Sequence, residues 1–245
     1  AEAKSGKAVP AVATASAPEI RPLSSRRKTI AQRMLASQRE SAQLTLIRSA
    51  DVTELVAARQ RLVEEAERHS RPRPTYTDIL IKAMALAVPA SPIVNARLHG
   101  DNIEIMPTVN IGVAVDTEEG LIVPVVRDVR ALSLAEITAK VQDLAERARQ
   151  GRLLPEEVED STITITNLGS EGIDAFTPIL NPGEVAILGV GRIRPVWSVV
   201  GKDTLQLRSE ITLSLTIDHR IVDGVPAARY LGRIAELLER PDWLE

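Results

Sequence analysis

The chain has 245 residues, with 30 Lys+Arg against 33 Asp+Glu and a formal net charge of −3, a balance that excludes a broad basic face for duplex nucleic acid. Hydrophobic residues make up 44% and charged residues 26%, the proportions of a folded domain with a full core, so a wholly disordered chain is excluded as well. No apolar run approaches the ~18 residues of a membrane span, and the start lacks the basic and hydrophobic regions of a secretory signal. No membrane partner is expected, and the compartment expected is the cytoplasm, or an organelle matrix in a eukaryote. Cys is absent and His occurs three times, which removes disulfides, thiolate metal ligands and cysteine nucleophiles together; no metal site is expected. With Phe176, Tyr76, Tyr230, Trp197 and Trp243 as the whole aromatic complement, the core must be aliphatic.

Residues 1–22 hold seven Ala and three Pro with almost nothing large and apolar to bury. Such a segment cannot repay its ordering entropy and reads as an extended linker, with the folded domain occupying 23–245. From Ser24 or Ser25, either able to cap, a helix is predicted with Ile30, Met34 and Leu35 on one face. Period-two alternation over 43–52 predicts a strand, and a long amphipathic helix follows from about Thr53 to near His69, broken by Pro72 and Pro74. The run 78–88 is apolar all round and predicts a buried helix. Strands are predicted over 103–106, 109–115 and 121–126, the last two joined by a hairpin turn at 116–120 that has Gly120 available for positive φ.

Ser133 and Glu136 form a capping box that opens a helix from Leu134 to about Gln150, stopped by Gly151. A strand over 162–167 leads into an irregular Gly/Pro loop over 169–183. Strands follow over 185–190, within 197–200 and within 204–217, and the last helix begins near Val225 with Ala228, Leu231, Ile234 and Leu237 inward. Helices and strands mix without regular alternation, which predicts one α/β domain with a mixed sheet.

The stretch 213–229 is the most informative for chemistry. An apolar strand ends abruptly in Asp218, His219 and Arg220, and polar groups at the end of a buried strand are where a rigid scaffold presents reactive side chains. Composition alone also allows a charged loop with a structural histidine. His69 lies among Glu and Arg at a helix end, where an imidazolium suits the dipole, and His99 reads as part of a turn.

His219, Asp223 and Gly224 stand in the pattern HxxxDG. Six further segments accompany it in order: 27–34 (RKTIAQRM), 51–55 (DVTEL), 109–116 (VNIGVAVD) with 120–124 (GLIVP), 164–169 (TITNLG), 176–179 (FTPI) and 181–191 (NPGEVAILGVG). Together they resemble the catalytic domain of the dihydrolipoyl acyltransferases, the core enzymes of 2-oxo acid dehydrogenase complexes such as the pyruvate and acetoin systems. The resemblance covers about 24–242 and implies a chloramphenicol acetyltransferase-like two-layer α/β sandwich with a mixed sheet, forming trimers. It also implies transfer of an acyl group between dihydrolipoamide and coenzyme A, both substrates, the lipoyl group being carried on a domain absent from this chain. His219 would be the base and Thr166, where many relatives have Ser, the hydroxyl that stabilises the oxyanion. Asp223 would orient the site directly or hold its loop through Arg26, Arg27 or Arg33. Gly224 would supply a conformation or a closeness that a Cβ blocks, and Asp218 and Arg220 would anchor the loop.

In this family the active site lies between subunits, His from one chain facing the hydroxyl of the next, and trimers often assemble into larger cores through apolar chain ends. Trp243 and Leu244 fit such a docking knob. The linker would join a lipoyl domain, and the decarboxylase and dihydrolipoyl dehydrogenase partners would be reached through the missing N-terminal domains. The context of Leu168, Gly169 and 176–179 resembles acetyl-transferring members. The chain departs from many relatives in having Ala42-Gln-Leu-Thr-Leu46 where they carry a His-Val-Thr stretch just before the second strand. Two other functions stay open on the residues: a core scaffold with little catalysis, and a small-molecule O-acetyltransferase.

Overall fold

The computed structural model describes residues 19–244. The expected linker over 1–22 lies mostly outside the described residues. Helix α1 (Ser25–Glu40) opens the domain, capped by the Ser24 hydroxyl, which accepts from the Arg27 amide. Strand β1 (Gln43–Asp51), helix α2 (Thr53–Arg68) and helix α3 (Tyr76–Ala87) follow. Helix α3 starts before Asp78 because Thr75 forms a capping box with it: the Thr75 hydroxyl accepts from the Asp78 amide, and the Asp78 carboxylate accepts from the Thr75 amide at 2.7 Å. Strands β2 (Ala96–His99), β3 (Asn102–Ile105), β4 (Ile111–Val113) and β5 (Val125–Val126) lead to helix α4 (Leu134–Arg149). Then come β6 (Ile163–Asn167), β7 (Ala186–Val190), β8 (Arg194–Val200), β9 (Thr204–Asp218) and helix α5 (Gly224–Glu239).

The main sheet runs β1-β9-β7-β6-β4-β5, with β8 added alongside β9. It is mixed, as expected: β4, β6 and β7 are parallel, while β9 is antiparallel to β7, β8 and β1. Helix α5 packs on β1 and on α3, and α3 on α4, so the helices form the second layer. Between the layers lie Leu55, Ile79, Ile81, Met84, Ile111, Ile137, Ile163, Leu188, Leu215, Ile217, Leu231 and Ile234, all buried. Tyr230 is the one large aromatic residue sealed in this aliphatic core, its hydroxyl donating to the Met84 carbonyl at 3.2 Å.

Several elements differ from expectation. His99 lies in a two-stranded antiparallel hairpin, β2 with β3, rather than in a turn. Regular pairing in the β4–β5 hairpin is shorter than 109–115 and 121–126, and continues toward the turn as the isolated bridge Val115–Ile122. The turn itself is as expected, with Gly120 at φ +113. Helix α1 buries Ser37 alone, and Leu35 is 51% exposed. Trp243 donates from its indole N–H to the Leu237 carbonyl at 2.8 Å and packs with Leu244, half-buried, on the chain's own core. The residues of the expected docking knob thus form a short turn that stays half-exposed on the domain.

Candidate active site

Strand β9 is fully buried over Ile211–Asp218 and surfaces abruptly at His219. The end of the strand is pinned from both sides. The Asp218 amide donates to the Val185 carbonyl at 3.0 Å and the His219 amide to the Ala42 carbonyl at 2.8 Å. The imidazole is thus presented from a rigid strand end, with its side chain 43% exposed. The Asp223 carboxylate comes to 3.7 Å from His219 Nδ1, too long for a hydrogen bond. Asp223 is the N-cap residue of α5, a place where Asp ordinarily accepts from the helix amides. Its side chain makes no such cap bond and is left to face the ring.

Two of the three arginines expected as partners of Asp223 lie elsewhere. Arg26 forms an ion pair with Glu119, and the Arg27 guanidinium lies against Gly120. Within the chain the Asp223 carboxylate faces His219. Asp218 and Arg220 are the loop anchors expected: Arg220 Nη2 donates to Asp218 Oδ2 at 2.5 Å, and the Ala42 amide donates to Asp218 Oδ1 at 3.2 Å. Burial pushes the Asp218 carboxyl up, but the Arg220 hydrogen bonds and the two amides outweigh it and hold the group below the usual carboxylate range. Gly224 departs from expectation. Its φ is not positive, and nothing lies within 4 Å of where a Cβ would stand.

Thr166 lies near the far end of β6, half-buried, and its hydroxyl has no hydrogen-bond partner among the described residues. In the sheet it pairs with Gly189, which pairs with Ser214, and directly opposed residues share a face. Over that face folds the loop that follows β6. Phe176 Cζ stands 3.0 Å and Pro178 Cδ 3.2 Å from the position a Gly189 Cβ would take, so a side chain at Gly189 would push this wall away from Thr166.

The structure does not bring Thr166 and His219 together within one chain. His219 lies five residues beyond Ser214 along β9. At ~3.3 Å per residue and ~4.8 Å per strand, Thr166 and His219 are separated by roughly 19 Å, at opposite ends of the sheet. Two clefts flank these ends. One, of about 250 Å³, is lined by Asp218, Arg220 and Glu184; the other, of about 1350 Å³, by Asn167, Arg192 and Asp78. Neither is lined by both His219 and Thr166.

Residues 15–244 match the model for the 2-oxoacid dehydrogenases acyltransferase catalytic domain. The chain belongs to this family. A Bacillus subtilis (strain 168) dihydrolipoyllysine-residue acetyltransferase component of an acetoin cleaving system is 41% identical over 241 residues, or 98% of this chain. The chain spans 60% of that relative's length. The Azotobacter vinelandii dihydrolipoamide acetyltransferase matches with a TM-score of 0.89 at 35% identity, covering 97% of this chain and 99% of that one. That structure addressed the role of one serine, one histidine and one asparagine in the catalytic mechanism. Its histidine and asparagine are four residues apart, the spacing of His219 and Asp223 here. The cubic core of the pyruvate dehydrogenase multienzyme complex matches with the same TM-score, identity and coverage.

Sequence reasoning does not single out one further feature of this acyltransferase domain. Glu184 is buried two residues before β7, where Thr164 and Asn181 donate to its Oε1 at 2.8 Å each and Ser161 donates to the same oxygen, while Oε2 has no partner among the described residues. Burial pushes its carboxyl up against those bonds. An acid at the mouth of the apolar run 185–190 is the signal that could have found it, since such a position needs donors to tolerate a carboxyl.

Proposed function

We propose that the domain transfers an acyl group, acetyl by preference, between dihydrolipoamide and coenzyme A, with His219 as general base and Thr166 as oxyanion donor. The observation that carries this reading is the presentation of His219: a half-exposed imidazole on a pinned strand end, its Nδ1 turned toward an uncapped Asp223. The acetyltransferase relatives support the acyl group, and the serine, histidine and asparagine of the Azotobacter enzyme support the three site positions.

A thiol with pKa ~8.5 is mostly protonated at neutral pH, whereas the thiolate is the nucleophile. In the neutral tautomer that carries its proton on Nδ1, the nitrogen on the Asp223 side, Nε2 is free to take the coenzyme A thiol proton. The sulfur then attacks the thioester carbon of acyl-dihydrolipoamide. Its carbonyl becomes an oxyanion that the Thr166 hydroxyl stabilises by donating a hydrogen bond. Collapse breaks the bond to the dihydrolipoamide sulfur, which recovers the proton from His219 Nε2. Both thiols belong to the substrates, so a chain without cysteine suffices.

Since one chain holds its Thr166 roughly 19 Å from its own His219 by the strand spacings, the reaction centre in this reading forms between copies in a homotrimer. The cubic core formed by a similar chain supports assembly of trimers into a larger body. Residues 1–22 would tether the lipoyl domain in the cytoplasm, and the decarboxylase and dehydrogenase partners would bind through domains on that side. The test is thioester exchange between acetyl-coenzyme A and dihydrolipoamide, followed by ultraviolet absorbance, with succinyl and isobutyryl donors in parallel. Exchange fastest with acetyl is expected. Absence of exchange with all three donors would leave a scaffold.

A further inference from the structure

Both bonds that pin the His219 strand end lead back to one segment, 180–185. The Val185 carbonyl accepts the Asp218 amide directly. The Ala42 carbonyl, which accepts the His219 amide, lies just past the end of α1. On either side of Ala42 the chain is fastened to Leu180: the Ser37 hydroxyl donates to the Leu180 carbonyl at 2.7 Å, and the Leu180 amide donates to Gln43 Oε1 at 3.4 Å. Segment 180–185 belongs to the irregular stretch before β7, so its place depends largely on side-chain bonds.

Glu184 supplies those bonds. It is 6% exposed, and its Oε1 accepts from Asn181 inside the segment and from Ser161 and Thr164 outside it. Thr164 belongs to β6, and Ser161 lies just before that strand, so the carboxyl clips the segment to the middle of the sheet. Gly112 makes room for the clip. It pairs with Thr164, and a Cβ there would stand 2.7 Å from Thr164 Oγ1 and 3.2 Å from Ser161 Cβ. Arg97, whose charge reaches Glu184, gives its own donors to Asp160 and to the Ser161 carbonyl. A carboxyl buried among uncharged donors is a poor source of stability; what it supplies is direction, three bonds converging on one oxygen.

We propose that Glu184 is a positioning residue for the acyl transfer, clipping segment 180–185 to β6 and so holding the strand end from which His219 is presented. This rests on the assignment of His219 as general base. The carboxyl touches no reacting atom and acts through the His219 imidazole. Thr166 does not depend on the clip, because the β6–β7 ladder, in which it pairs with Gly189, already places it. A base displaced by a fraction of an ångström loses rate steeply, so a bond network one residue behind it bears on turnover.

The test is thioester exchange by two variants of the full chain. Glu184→Met keeps the length of the side chain and removes the acceptor, whereas Glu184→Gln keeps an oxygen for the three donors. The Met variant should lose ~10-fold in kcat with KM little changed, and the Gln variant should stay within ~3-fold of the wild type. The deciding readout is a double-mutant cycle. With His219 already replaced by Ala, Glu184→Met should cost nothing further; beside Thr166→Val it should cost the same ~10-fold. Wild-type kcat in Glu184→Met, a Gln variant as slow as Met, or an undiminished loss in the His219→Ala background overturns the proposal. Should Glu184→Met fail to fold, Thr164→Val removes a single donor, and a ~3-fold fall in kcat that vanishes in the His219→Ala background is expected. An unchanged kcat, or a fall that persists there, defeats the clip. A His219→Ala variant as active as the wild type instead overturns the assignment of the base, whatever Glu184 does.

Discussion

Replacing His219 by Ala should lower the exchange rate ~10²- to 10⁴-fold, the range associated with losing a positioned general base, and should leave the mass of the assembly unchanged. The imidazole is half-exposed, and it is the backbone of His219, through its amide bond to Ala42, that fixes the strand end. Truncating the ring therefore creates no cavity, and surface changes of this kind stay within ~0.5 kcal/mol of stability. The pH profile separates a base from a merely structural residue. Without His219 the enzyme must wait for thiolate already formed in solution, so the variant's rate should climb with pH until the thiol pKa of ~8.5, and the gap to the wild type should narrow. Parallel profiles would mean that His219 does not handle the proton.

The second large effect is expected at Thr166. Thr166→Val keeps the branched shape that suits a strand and removes the O–H. Loss of one oxyanion donor costs about 3 kcal/mol in the barrier, or ~10²-fold in turnover. Substrate KM should hardly change, because the bond strengthens only as the carbonyl oxygen gains charge. Thr166→Ser should stay within a few-fold of wild type, since it restores the donor. The measurement is the split of kcat from KM in thioester exchange. A Val variant with unchanged kcat, or a Ser variant as slow as Val, removes Thr166 from the reaction.

Much of this molecule was legible in the sequence because local signals and packing agree. The Ser133–Glu136 capping box opens α4 where expected, and the apolar run ending at Asp218 is a strand buried over its last eight residues, 211–218. Strand β3 was legible as 103–106, but its partner β2 was not, because the hairpin is short and mostly exposed, with Leu98, Ile103 and Ile105 facing out. Nothing in such a segment distinguishes pairing from a turn. Of the site, the residue types were legible and their separation was not. Thr166 and His219 each sit in a recognisable segment, but the strand order that drives them to opposite ends depends on long-range pairing of β6, β7 and β9. The Asp223 side chain that faces His219 instead of capping α5, and the open surroundings of Gly224, are likewise properties of the folded chain.

The central claim is that one reaction centre takes His219 from one copy and Thr166 from the next. Mixing His219→Ala chains with Thr166→Val chains, each nearly inactive alone, tests it most directly. If the subunits are co-assembled at equal concentration, a random trimer places an intact His219 against an intact Thr166 at about one interface in four. Exchange activity should therefore return to roughly a quarter of the wild-type value. If the mixed assembly shows no more activity than the sum of the two variants measured separately, both residues are not shared across copies, and the account is wrong.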